Sequence, residues 1–457
     1  MSTSFDYASA NLSRSVNELF EILRIPSISA SPEHSVDVRA AAEATAAALR
    51  KIGMEHIHLA ESKGGHPLVR GDWLGAGDGA PTLILYGHYD VQPPDPIEEW
   101  LSPPFEPEVR EGRIYARGAS DDKGQFFAIL KGLEAVIGAQ GRLPVNVKWT
   151  IEGEEETGGT SLERYLADNR DELRADAVFV ADGHFPKPGV PAVLTGLRGM
   201  LYVEIEVRGP SADVHSGLYG GVAPNPLNAI AWIIAGLKDT NGRVTVPGFY
   251  DRVVDPSQTE LESWNQLDLD EGQMLREEIG SRAFFGESEY GTLHRIYARP
   301  TLDVHGIRGG FISTGPKTVI PAVATAKVSM RLVPDQDPLE IREAFKNRVA
   351  ELVTPGVEVS VREVGLDPPI SVGVDGRAVQ AAARAFISAF GRQPVFVRTG
   401  GGNPVLRAFP EHLGVELIIS CFGLPDDHLH SPNEKLDVAQ FEGGIKTTAA
   451  LLEELAD

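Results

Sequence analysis

The chain has 457 residues, with 42 Lys+Arg against 65 Asp+Glu and a net charge of −23. It holds no long basic run, which excludes tracking of a nucleic-acid backbone, and its longest apolar stretches, such as residues 228–237, fall far short of the roughly 18 residues a membrane helix needs. The N-terminus lacks the basic and apolar regions of a secretory leader and the lone cysteine, Cys421 in an apolar run, rules out an internal disulfide framework, so a soluble cytoplasmic protein of two or three domains is expected.

In chain order, apolar spacing predicts amphipathic helices over residues 13–25 and 37–52. Residues 82–90, Thr-Leu-Ile-Leu-Tyr-Gly-His-Tyr-Asp, are an apolar run stopped by glycine, which reads as a strand buried on both faces, as in a parallel sheet. Extended backbone past Gly87 puts His88 and Asp90 on one side, so that Asp90 accepts one imidazole N–H while the other nitrogen meets a metal. A surface ion pair is the plainer reading of the same spacing. The prolines between Pro93 and Pro107 bar helix and central strand and predict an ordered, extended loop on the site side. Asp121 and Asp122 then precede a helix over about 125–138, where two acids could equally serve its N-terminus.

Residues 145–152 alternate as a strand and run into three adjacent acids, Glu154 to Glu156, flanked by glycines that let the backbone turn them inward rather than leave them in a solvated turn. The run Ala177-Val-Phe-Val-Ala ends in Asp182. Three apolar strands thus deliver an acid or imidazole at the C-terminal end, the edge where open α/β sheets bind ligands. Alternating strands near 198–208 and 323–333, with helices near 226–238 and 338–352, form a set of their own, and the irregular residues 240–300 read as a long excursion on it. A helix near 376–390, strands near 394–398 and 415–420 and a closing helix over 438–455 restore the first pattern. One domain is therefore inserted in another: residues 1–196 and 371–457 make the outer domain and 197–370 the inserted one. The cluster from Asp426 to Glu434, with His428 and His430, follows the 415–420 strand.

Five loops together offer His88, Asp121, one or more of Glu154 to Glu156, Asp182 and His430. Two divalent ions a few ångströms apart need about this inventory: a shared carboxylate, then an imidazole and a carboxylate for each. The mixed nitrogen and oxygen donors suit Zn²⁺, Mn²⁺ or Co²⁺ better than Ca²⁺. Neither a Gly-x-Ser-x-Gly nucleophile elbow nor a Gly-x-x-x-x-Gly-Lys-[Ser/Thr] phosphate loop occurs.

Gly-His-Tyr-Asp-Val-Gln-Pro, Arg-Gly-Ala-Ser-Asp-Asp-Lys-Gly, Glu-Gly-Glu-Glu-Glu-Thr-Gly, Ala-Asp-Gly, Asp-Val-His-Ser-Gly-Leu-Tyr-Gly-Gly and His-Ser-Pro-Asn-Glu-Lys stand in the order and spacing of the M20 co-catalytic metallopeptidases. Along nearly its whole length the chain most resembles their carnosinase-like dipeptidase branch. The resemblance implies an α/β fold: a mixed-sheet catalytic domain of the zinc-aminopeptidase-like type carrying an inserted α+β lid and dimerisation domain. It implies Asp121 as the carboxylate bridging two divalent ions, Zn²⁺ or Mn²⁺, with His88 and Asp182 on one and Glu156 and His430 on the other. Glu155 becomes the general base, Asp90 the group that orients His88, Glu154 a spacer and His428 a neighbour. His215 corresponds to a lid histidine that stabilises the oxyanion across a homodimer interface, and Arg331 to the arginine that grips the substrate carboxylate. A cis Asp121–Asp122 bond also follows from the likeness. The activity implied is hydrolysis of dipeptides or small peptides with a free C-terminus; the alternative is an N-acyl-amino-acid amidohydrolase or carboxypeptidase of the same family. Gly402 departs from relatives that can carry a substrate-touching serine there.

Overall fold

A computed structural model describes residues 3–400 and 403–456. Its centre is four parallel strands, side by side in the order Asn146–Glu152, Thr82–His88, Ala177–Ala181 and Glu416–Ser420. Almost every residue in them is buried: three are largely apolar runs, as helices covering both faces of a sheet require, and Asn146–Glu152, although it alternates, buries its polar Asn146, Thr150 and Glu152 as well. Because the four run the same way, their C-terminal ends share one edge.

Five further strands extend this sheet to nine: Glu55–Ala60 and Leu68–Trp73 on one side, and on the other Ala192–Leu197 with Ile370–Ser371 and Val395–Thr399, all joined antiparallel except Val395–Thr399, which pairs parallel with Ala192–Leu197. The expected early helices are Leu12–Leu23 and Ser35–Lys51, preceded by Thr3–Ala10, which sequence periodicity did not announce. Helix Lys123–Gln140 lies against the central strands and packs on Val438–Ala456, which in turn packs on Arg377–Phe390. Gly87 makes the first contact possible: a Cβ there would meet Phe126 Cβ at 2.5 Å and Asp122 Oδ2 at 2.9 Å.

The chain leaves this sheet after Leu197 and returns at Ile370. Between lies a four-stranded antiparallel sheet in the order Thr301–Gly309, Val323–Leu332, Gly199–Arg208, Glu358–Asp367. Strict alternation along Gly199–Arg208 puts Leu201, Val203, Ile205 and Val207 in a second core under helices Pro226–Leu237 and Pro338–Glu351. Both helices open with proline after a capping residue, Asn225 or Asp337, whose side chain accepts a main-chain N–H.

Residues 258–298 depart from the expected excursion. Helices Gln258–Asn265 and Thr292–Ala298 pack on strand Val395–Thr399 of the large sheet, and Trp264 and Ala298 join the first core. Trp264 Nε1 donates to the Phe396 carbonyl at 3.0 Å, and Arg398 donates twice to the buried Glu260 carboxylate, at 2.7 and 3.0 Å. The segment's few apolar side chains seat individually on that wall, so they leave no period to read. Among the described residues, no helix is long and apolar enough to cross a membrane.

Candidate metal centre

His88 ends its strand at the shared C-terminal edge and is fully buried. Its Nε2 lies 3.1 Å from Asp121 Oδ1 and 4.0 Å from Asp182 Oδ2, the acid that follows the neighbouring strand. On the other side of Asp121, His430 Nε2 stands 2.9 Å from Asp121 Oδ2 and 3.4 Å from Glu156 Oε2. Two groups result, His88 with Asp121 and Asp182, and Asp121 with Glu156 and His430; within each, the ligand atoms lie within 4.8 Å of one another. Asp121 belongs to both.

The donors fit divalent cations on three counts. Buried His88 Nε2 and Glu156 Oε1 have no hydrogen-bond partner among the described residues. The set mixes imidazole with carboxylate, as borderline divalent metals require. Third, the carboxylates outnumber the nearby cations. Burial first, then the charges of neighbouring carboxylates, pushes Glu155 up to about 9 and Asp182 up to about 6. Asp121 goes the other way: burial opposes its charge, but the hydrogen bond from His430 and the His88 imidazole beside it hold it below the usual carboxylate range. Hydrogen bonds to Asp121 and Glu156 raise His430 to about 10. The protein thus gathers negative charge that protonated imidazoles alone only partly balance.

The orientation of each ligand is fixed from behind. Asp122 Oδ2 does not cap its own helix; it accepts the His88 main-chain N–H at 3.1 Å. The Asp121–Asp122 bond is cis, as the resemblance implies. His88 Nδ1 lies 3.1 Å from the Asp90 main-chain oxygen and 3.4 Å from its carboxylate, so its hydrogen bond goes to the backbone of the expected residue. The other oxygen of the Asp90 carboxylate is occupied: Oδ2 accepts Ser29 Oγ at 2.7 Å and the Glu156 N–H at 3.1 Å. Gln92 Nε2 donates to Glu156 Oε2 at 2.7 Å.

The loop that carries Asp121 is held by two buried acids from the loop that carries His430. Glu434 accepts from Arg117 Nη1 at 2.6 Å and from the N–H groups of Gly118, Ser120 and Asp121 at 2.9–3.0 Å. Asp427 accepts from Ser120 Oγ and Lys435 Nζ, both at 2.7 Å. Glu434 stood inside a motif already singled out, yet its partner Arg117 is 317 residues away, and no local pattern links them.

Of the three adjacent glutamates, Glu156 enters a ligand group, Glu155 lines the cavity beside it, and Glu154 turns away to accept the His66 N–H at 2.6 Å. That cavity, of about 300 Å³, is lined by Asp121, Glu155, Asp182, Asn403 and His430 among others. His428 is exposed and belongs to neither group. His215 is exposed in the inserted domain, its Nδ1 accepting the Gly217 N–H at 2.9 Å, and Arg331 lies on strand Val323–Leu332. The chain therefore does not bring these two into the ligand groups. Gly402 lies outside the described residues.

The chain matches Peptidase family M20/M25/M40 over residues 84–454. It is 31% identical to human Beta-Ala-His dipeptidase, over 84% of this chain and 76% of that protein. It is 32% identical to the Cys-Gly metallodipeptidase dug1 of Schizosaccharomyces pombe, over 85% and 83%. Among solved structures, the M20 family metallo-carboxypeptidase Sso-CP2 from Sulfolobus solfataricus superposes with a TM-score of 0.82 at 32% identity, covering 97% of this chain and 99% of that one. With two ligand groups meeting at one aspartate and a family match that spans them, the chain belongs to peptidase family M20 and is a metal-dependent hydrolase.

Proposed function

We propose that this chain hydrolyses the amide bond of dipeptides and other small peptides with a free C-terminal carboxylate. The observation that carries the reading is the convergence of His88, Asp182, Glu156 and His430 on Asp121, with Glu155 lining the same cavity. The dipeptidase names of the human and yeast relatives support the substrate class. The donor set suits Zn²⁺ or Mn²⁺, with Co²⁺ a third choice. When bound, such ions polarise a carbonyl and acidify water.

The residues then divide the work. Glu155 takes the proton of the attacking water and passes it to the leaving amine. Asp90 steadies His88. Arg331 offers a planar fork to the substrate carboxylate, and His215 of the partner subunit donates to the oxyanion. A homodimer through the inserted domain is supported by its edge strand Thr301–Gly309, which is mostly exposed, and by exposed Leu218, Val222, Trp232 and Ile307 on the same domain. The outer domain is taken as residues 1–196 and 371–457 and the lid as 197–370, of which residues 258–298 pack back on the outer domain's sheet. The buried Cys421, alone of its kind, agrees with a cytoplasmic setting.

The test is to strip the protein with a chelator and assay dipeptides and N-acyl amino acids after restoring Zn²⁺, Mn²⁺ or Co²⁺ separately. Dipeptide hydrolysis should vanish and return; activity that survives stripping, or that no ion restores, overturns the reading. A second reading, release of C-terminal residues from longer chains, is favoured by the likeness to the archaeal metallo-carboxypeptidase. Tetrapeptides in the same assay separate the two.

A further inference from the structure

The cavity beside the ligand groups has a wall residue that the chemistry above leaves unused. Asn403 lines it and is only 7% exposed. Its Nδ2 lies 3.2 Å from the Tyr86 hydroxyl and 3.4 Å from Asp182 Oδ2. The Tyr86 hydroxyl donates its own proton to Glu152 Oε1 at 2.7 Å, so it meets Asn403 with a lone pair, and the Asp182 carboxylate does the same. Both neighbours being acceptors, the amide is set nitrogen-first, and the opposite flip would turn oxygen toward oxygen. The other end of the amide is then left over: Oδ1 is buried with no hydrogen-bond partner among the described residues. A buried acceptor without a donor is unfavourable unless a ligand supplies one.

The chemistry of the missing donor follows from its surroundings. Asp121, Glu155 and Asp182 line the same cavity, while Leu194, Leu406 and Ile419 make its wall apolar. A compact cationic donor fits both. In a dipeptide the amino group stands one carbon from the scissile carbonyl, or two in a β-amino acid, so a carbonyl presented to the ligand groups carries its ammonium to the neighbourhood of Asp182 and Asn403. We propose that Asn403 Oδ1 accepts a hydrogen bond from the free ammonium of the substrate's N-terminal residue, and that this contact selects unblocked dipeptides over N-acylated amino acids. The inference rests on the hydrolytic reading above and narrows its substrate.

The test pairs alanyl-leucine with propionyl-leucine, which differ only in the ammonium, on the metal-loaded enzyme. Wild type should favour alanyl-leucine at least about 10-fold in kcat/KM, and Asn403→Leu should lower that substrate about 10- to 100-fold, mainly through KM, with propionyl-leucine within about 3-fold of wild type. Metal content by elemental analysis should stay equal in the two proteins. Equal wild-type rates on the pair overturn the proposal and need no variant. Parallel loss on both substrates, or loss of metal from Asn403→Leu, overturns it as well by making Asn403 a support for Asp182. A wild type that cleaves neither compound nor any other dipeptide instead overturns the hydrolytic reading, which sets the two failures apart.

Discussion

Glu434 accepts the main-chain N–H of Asp121 at 3.0 Å, so the loop that supplies His430 also grips the loop that supplies the acid common to both ligand groups. Both ends of one ligand group are thus set by a single buried carboxylate. Glu434→Gln leaves the Arg117 guanidinium buried without its counter-charge, and truncating one partner of such a pair costs about 3–5 kcal/mol. Denaturant unfolding should read a loss of that size, with metal occupancy reduced alongside. The double variant with Arg117→Met should recover only part, because the glutamine keeps one acceptor oxygen and turns its NH2 either on the Gly118 N–H or on those of Ser120 and Asp121.

Glu155→Gln should lower kcat by about 10²–10⁴-fold while both ions stay bound, since an amide takes no proton and the residue belongs to neither ligand group. Glu156→Gln should instead deplete one ion. Elemental analysis of the two variants decides the assignment: an ion lost from the Glu155 variant with full occupancy in the Glu156 variant exchanges their roles.

A mixed dimer tests His215. One subunit carries His215→Ala and the other Glu155→Gln, so that sites built in trans pair either two intact groups or two damaged ones. Purified heterodimers should recover roughly half of normal activity, the arithmetic of one good site in two. Heterodimers as inactive as both parents would confine His215 to its own subunit or remove it from the chemistry.

Acid stability should depend on Glu18, which is bonded by Lys131, Lys51 and Arg14. Burial alone would raise its pKa, but the hydrogen bonds from Lys131 and Lys51 outweigh it and bring it from 4.5 down to about 2. A carboxyl lowered on folding stabilises the fold fully above its unfolded value and loses that contribution as pH falls toward the folded one. Glu18→Gln should therefore cost about 1–2 kcal/mol at neutral pH, after allowance for solvent screening, with the gap closing between about pH 4.5 and 2. Urea unfolding as a function of pH measures it; a gap independent of pH would remove the ion pairs as its cause.

Legibility in the sequence followed the range of the interactions. The strand Thr82–His88 was readable because burial on both faces writes itself as an uninterrupted apolar run, and His88 and Asp182 were readable because each sits at the end of such a run, whereas Asp121 precedes a helix and His430 lies in a loop well past its strand. Strand Thr301–Gly309 was not, since its alternation lasts only from Thr301 to His305 before a register shift between Val304 and Gly306 breaks the period. Trp264 and Glu260 looked like part of the inserted set, because nothing local says that their partners are Phe396 and Arg398. Asn403 carried no signal of its own: its meaning lies in an oxygen left over after Tyr86 and Asp182 have taken the nitrogen.

The two imidazoles of the centre differ in their access to water. His88 is sealed inside the protein, whereas the His430 side chain is 54% exposed. Ions held on the two sides should accordingly leave in sequence, the one on the Glu156 and His430 side first, as limiting chelator reaches it. Titrating a Co²⁺-loaded sample should give two kinetic phases of about equal amplitude in the visible spectrum, and refilling after the first phase with Zn²⁺ should yield a defined hybrid. The architecture thus permits the two positions to be addressed one at a time, with no change to the protein.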